Sequence, residues 1–171
     1  MNAYTLVMDA SGNVTGPGIY MGGELPSPLP ANEIPCTEAQ AKNPMAYQVV
    51  NGQIIESLTA AQSSQTALLR SSCQTDITGG FMSSALGDIY NYPSGSTDQI
   101  NLHTIAGNLH GGNLWCESEG VWSFKYHTQS QAQMVLSNFS SWLNTCQSKL
   151  LSLTEQVNNT TTVESVKAIV W

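Results

Sequence analysis

The chain has 171 residues, enough for one ordinary domain whose core needs no staples. Its net charge is -7 with only five Lys and Arg residues, none of them clustered, so it lacks the basic face that would bind a nucleic-acid backbone or an anionic membrane surface. Charged residues make up just 10%, so the polar surface has to come from Ser, Thr, Asn and Gln, and such a neutral surface is suited to being covered.

No window approaches a membrane span, so membrane insertion is not expected. The first residues, MNAYTLVMDASG, lack the basic and apolar regions of a signal peptide, which predicts a chain that stays where it is made. Cys36, Cys73, Cys116 and Cys146 are irregularly spaced, with no histidine at metal-ligand spacing; buried free thiols are favoured over a disulfide, and no metal or cofactor is expected. The sequons at Asn13, Asn138, Asn158 and Asn159 read as chance in a chain rich in Asn, Ser and Thr.

In chain order, weak alternation on either side of Ser11-Gly12-Asn13 predicts a first hairpin. A proline-rich connector follows, up to Pro35, too interrupted for a helix or a central strand. Thr37 to Gln40 has the form of a capping box, and Asn43-Pro44 stops the short helix behind it. Asn51-Gly52 turns a second hairpin. A second box at Thr59 to Gln62 opens a helix that ends at Gly79-Gly80, and Phe81 to Tyr92 then reads as a strand pair bent at Leu86-Gly87-Asp88. A third box, Ser96 to Gln99, starts a helix that stops at Gly111-Gly112.

Leu114 to Cys116 and Val121 to Tyr126 form the clearest hairpin. On its second arm Trp122, Phe124 and Tyr126 share one face, which is expected to be core or interface. Behind a fourth box, Thr128 to Gln131, the residues Leu136, Phe139, Leu143, Cys146, Leu150, Leu153 and Val157 recur at steps of three and four, which predicts a helix of about thirty residues. That seam either covers the sheet or mediates self-association into a homo-oligomer. A fifth box, Thr161 to Glu164, precedes a short helix, and the apolar end with Val170 and Trp171 is expected to dock onto the body or onto a partner.

Catalytic signatures are sparse. His103 and His110 lie seven apart, too far for the usual helical ligand pair, and His127 reads as support for the following helix start. There is no nucleophile elbow, phosphate loop or zinc-protease motif. Glu117 and Glu119 read as charges that keep a hairpin edge soluble. An enzyme is not expected.

The stretches Ile77–Gly87 (ITGGFMSSALG), Tyr92–Leu102 (YPSGSTDQINL), Leu114–Gln131 (LWCESEGVWSFKYHTQSQ) and Val163–Trp171 (VESVKAIVW) resemble a domain of unknown function encoded beside the tail-fibre genes of tailed bacteriophages. The resemblance runs over residues 55–171, in order, and the front of the chain looks like the variable ends of tail accessory proteins. It implies a non-enzymatic role at the tail fibre or baseplate, with other tail proteins as partners, in a protein made in the bacterial cytoplasm and built into the virion tail. It supplies no catalytic residues.

The expected fold is α+β: a small antiparallel sheet of hairpins packed by a long C-terminal helix and shorter helices. Residues 1–53 would form a β-rich attachment region and residues 54–171 the tail-associated domain. The expected interaction residues are Trp122, Phe124, Tyr126, Leu136, Phe139, Leu143, Leu150, Val170 and Trp171. One alternative is a fibre-assembly chaperone absent from the mature virion. Another is a host-surface polysaccharide-binding module using Asp88, Tyr90, Tyr92 and Trp115, since sugar sites stack rings on aromatics beside carboxylates and amides.

Overall fold

The computed structural model describes residues 2–171 and is α+β, with 45% helix and 26% strand. The chain forms two compact units: one runs up to Ala67 and adds Gln156–Val170, and the other comprises Leu68–Glu155 and Trp171. The sequence suggests a boundary at 53/54. The units divide at 67/68 and again at 155/156, because each of two long helices contributes residues to both.

In the first unit β1 (Ala3–Met8) and β2 (Val14–Tyr20) form the expected hairpin. Its turn is held by Asp9, whose carboxylate accepts from the backbone N–H of Ser11 and Asn13 at 2.8 and 2.9 Å. The proline-rich connector ends in β3 (Glu33–Cys36), which pairs with the other side of β1 in the order β2-β1-β3. Pro35 is tolerated there because β3 is an edge strand, where a missing N–H breaks no second ladder. Glu33 fastens this sheet: Thr5 and Tyr20 each donate a hydroxyl to its Oε2, at 2.6 and 2.8 Å.

Helix α1 (Glu38–Lys42) carries the reciprocal Thr37/Gln40 capping box. After a 3-10 turn at Pro44–Ala46, β4 (Tyr47–Val50) and β5 (Gln53–Glu56) pair across Asn51 and Gly52, both with positive φ, as this two-residue turn requires. Helix α2 (Leu58–Thr78) is capped by Ser57, whose hydroxyl accepts from Ala60, and not by Thr59. Gln62, freed from the expected box, donates to the carbonyls of Val157 and Thr160. Helix α5 (Val163–Lys167) is capped by Thr162, one residue beyond the expected Thr161. Val157 and Val166 are fully buried.

The second unit is built on an antiparallel sheet ordered β6-β7-β8-β9, formed by β6 (Phe81–Ser83), β7 (Tyr90–Tyr92), β8 (Gly112–Ser118) and β9 (Val121–His127). Between β7 and β8 lies α3 (Ser96–Gly107). Its N-cap is Gly95, with no side-chain cap; Gln99 instead donates to the Ser94 carbonyl at 2.8 Å. Helix α4 (Gln129–Asn159) begins at the reciprocal Thr128/Gln131 box and has 31 residues, as its periodicity predicts.

One face of the sheet presents Phe81, Tyr92, Leu114 and Cys116 to Leu102 and Ala106 of α3 and to Ala132, Val135 and Phe139 of α4. Phe81 stacks on Tyr92 and tilts against Phe139, with ring centroids 5.7 and 5.2 Å apart. Phe139 therefore belongs to this core and is closed to a partner. Leu136 packs against the same cluster, and Leu143 and Leu150 are half-buried. This part of the seam is spent on covering the sheet, the plainer of its two readings.

Trp171 docks within this unit. Its indole N–H donates to Asp76 Oδ2 at 2.6 Å, and Lys149 Nζ lies 4.3 Å over its ring. Val170, by contrast, is exposed. The four cysteines are free; burial pushes the Cys73, Cys116 and Cys146 thiols above their ordinary value. Among the described residues no helix is long and apolar enough to cross a membrane.

Candidate functional site

The candidate site lies on the β8–β9 ribbon, and its register explains why. Glu119 and Gly120, both with positive φ, make a two-residue turn, and the Glu117 carboxylate accepts from the Gly120 N–H beneath it. This turn sets Asn113 opposite Tyr126, Trp115 opposite Phe124, and Glu117 opposite Trp122. Because strand side chains alternate, these six share one face, while Leu114 and Cys116 point to the core.

The aromatic face of β9 is therefore not core. Trp122 is 41% exposed, Phe124 66% and Tyr126 60%, joined by Trp115 at 40%. Trp115 and Trp122 lie nearly parallel, at 14° with centroids 6.3 Å apart, and Phe124 meets Trp115 edge-on at 4.7 Å. The Tyr126 hydroxyl is tethered to the His110 carbonyl. The rings thus hold one another in a fixed array at the surface.

Beside this array is a cleft of about 430 Å³. It exists because β7 is short. β8 pairs with β9 along its whole length, but with β7 only at Asn91 and Glu117. After Tyr92 the chain turns away through Pro93 into α3, which lies beside the stretch of β8 that β7 leaves free. Asp98, Asn101 and Thr104 of α3 line the cleft at three-residue spacing, facing Asn113, Trp115 and Phe124 of the ribbon. Among the described residues, the Asp98 carboxylate and the side-chain amides of Asn101 and Asn113 make no hydrogen bond within the chain. Thr104 donates its hydroxyl to the Ile100 carbonyl and keeps its acceptor capacity.

Of the residues expected to bind sugar, only Trp115 offers a ring to solvent. Tyr92 is 2% exposed and committed to the core, so it cannot stack on a ligand. Tyr90 is half-buried against the same core, and Asp88 is exposed in the β6–β7 bend, outside the cleft lining. Asp98, Asn101, Thr104 and Asn113 were not singled out as binding residues. Asp98 read as part of a cap, and the spacing 98, 101, 104 is the signal that sets the three on one helix face.

Below the ribbon, His127 is fully buried and does more than precede a helix cap. Its Nδ1 lies 2.8 Å from the Lys125 carbonyl, which can only accept, so Nδ1 carries the proton. Nε2 then accepts from the Tyr92 hydroxyl at 2.8 Å. Burial lowers the histidine pKa and raises that of Tyr92, so both groups are held neutral. Among the described residues no group of three His, Cys, Asp or Glu side chains is placed to hold a metal ion. A second cleft, of about 480 Å³, lies in the first unit beside the Glu56–Lys167 ion pair and the small residues Ala60, Ala61 and Ser64.

Comparison with protein-family models, with curated proteins and with solved structures finds no match to the chain.

Proposed function

We propose that the chain is a non-enzymatic binding component of a bacteriophage tail, and that it engages its target through the aromatic face of the β8–β9 ribbon. The observation that carries the binding role is the array of Trp115, Trp122, Phe124 and Tyr126, exposed together on one sheet face. Contiguous apolar surface of this kind gains little by facing water, and it marks interaction sites in other proteins. Trp and Tyr are also the residues on which binding energy concentrates. The tail setting rests on the resemblance of residues 55–171 to the domain encoded beside tail-fibre genes. The strand-rich front of the chain is then free to serve as the attachment region.

Quantitative mass spectrometry of gradient-purified virions, set against the infected-cell lysate, tests this reading. A fixed ratio to the major tail proteins is the expected result. Abundance in the lysate with absence from particles would remove the chain from the tail and make it a fibre-assembly chaperone.

A further inference from the structure

The cleft beside the aromatic face has a lining that narrows its ligand. Its ribbon wall carries the Trp115 indole and the Phe124 ring, and its helix wall carries Asp98, Asn101 and Thr104, with Asn113 at the ribbon end. An aromatic wall facing amides, a hydroxyl and one carboxylate matches a pyranose, which has an apolar C–H face and a rim of hydroxyls. At about 430 Å³ the cleft is of small-ligand size. Charge excludes other ligands: the lining holds no Lys or Arg and has Asp98 as its only charged side chain, in a chain of net charge -7, so a phosphate, sulfate or uronate would meet repulsion.

The half-open side of β8 suggests a rival occupant, an added peptide strand. The lining favours the sugar: Asp98, Asn101 and Asn113 offer side-chain polar groups, whereas an added strand is held by main-chain ladder bonds. Gly112 shares the core-facing side of β8 with Leu114, and a Cβ there would come 2.4 Å from Ile105 Cδ1, so α3 closes that face over the start of the strand. What remains is a short cleft ending on aromatic rings.

We propose that this cleft binds a neutral saccharide, with one ring lying on the Trp115–Phe124 wall and its hydroxyls bonded by Asp98, Asn101 and Asn113. The proposal rests on the reading of the aromatic face as a binding surface, and it names the class of target. The groups that would bond the sugar have no partner within the chain, so binding breaks no internal hydrogen bond.

The test uses the full chain, with calorimetry and saturation-transfer NMR against maltohexaose, cellohexaose, chitohexaose and mannohexaose, and with heparin as the anionic control. At least one neutral oligosaccharide is expected to bind with Kd of about 1 mM or tighter, and heparin is not. Asn101 is an exposed helix residue, so Asn101→Ala leaves the fold intact; it is expected to weaken binding tenfold or more, as is Trp115→Ala. The proposal is overturned if none of the four sugars binds, if both variants bind as the parent does, or if an extended peptide binds the cleft in their place. Failure here with the chain present in virions sinks only the saccharide assignment. Saccharide binding by a chain absent from virions sinks only the tail setting.

Discussion

The buried His127 makes a prediction that depends on the sign of its shift. In the folded chain Nδ1–H donates to the Lys125 carbonyl and Nε2 accepts from Tyr92, and a second proton on Nε2 would place a full charge on a ring that is completely buried. Burial therefore sets the folded pKa below the ordinary 6.5. Above that value His127 is neutral in both states and has no effect on the pH dependence. As pH falls from 6.5 towards the folded pKa, the unfolded chain takes up a proton that the folded chain refuses. Stability then falls by up to about 1.4 kcal/mol per pH unit, and the loss levels off below the folded pKa. All four tryptophans, Trp115, Trp122, Trp142 and Trp171, belong to the second unit, so denaturant unfolding followed by tryptophan fluorescence reports on that unit. A histidine Cε1–H NMR titration of the native protein should show the His127 resonance protonating below the ordinary 6.5. Tyr92→Phe should cost about 1–3 kcal/mol at pH 8 by leaving Nε2 without a donor. If the His127 resonance titrates at or above 6.5, or Tyr92→Phe is neutral, the account of this pair is wrong.

Two further predictions concern chain ends and turns. Trp171→Ala removes the indole N–H donated to Asp76 and the ring beneath Lys149. It should lower the stability of the second unit by about 1.5–3 kcal/mol, as read from the remaining tryptophans; no change would mean that the C-terminal side chain does not dock in solution. Gly111 has φ +68, and a Cβ there would sit 2.1 Å from the His127 carbonyl oxygen. Gly111→Ala should therefore cost about 1–3 kcal/mol or more by thermal melting, whereas Gly107→Ala, in open space at the end of α3, should not.

Local signals in the sequence were good guides to where the chain turns and where helices run. Asn51-Gly52 and the Gly120 loop, the Thr37 and Thr128 boxes, and the length of α4 all correspond to the structure, because each depends on a few adjacent residues or on a long period. Three other boxes failed because Thr-x-x-Gln and its variants recur by chance in a chain rich in Ser, Thr and Gln. Ser57, Gly95 and Thr162 are the N-caps, set by where the first turn packs.

The sequence leaves the β9 face open between core and interface for a different reason. Alternation tells which residues share a face but not which face is covered. The missing information lay in the partner strand: a two-residue turn at Glu119-Gly120 sets Asn113 and Glu117 on the aromatic side and Leu114 and Cys116 on the other, which marks the aromatic side as the wet one. The cleft itself was beyond local reading. It is created by the shortness of β7 and the approach of α3 to β8, and these are tertiary facts.

The central claim is that the aromatic face serves binding and not stability. Its most direct test is the double variant Trp122→Ser, Phe124→Ser, measured for unfolding free energy and, under the proposed phage-tail setting, for binding of the labelled chain to envelopes of a host bacterium. Phe124 is 66% exposed and Trp122 41%, and neither belongs to the core cluster, so stability should fall by less than the roughly 3–5 kcal/mol of a core aromatic while binding is lost. A loss of about 3–5 kcal/mol, as for a core aromatic, or undiminished binding by a well-folded variant, would contradict the account.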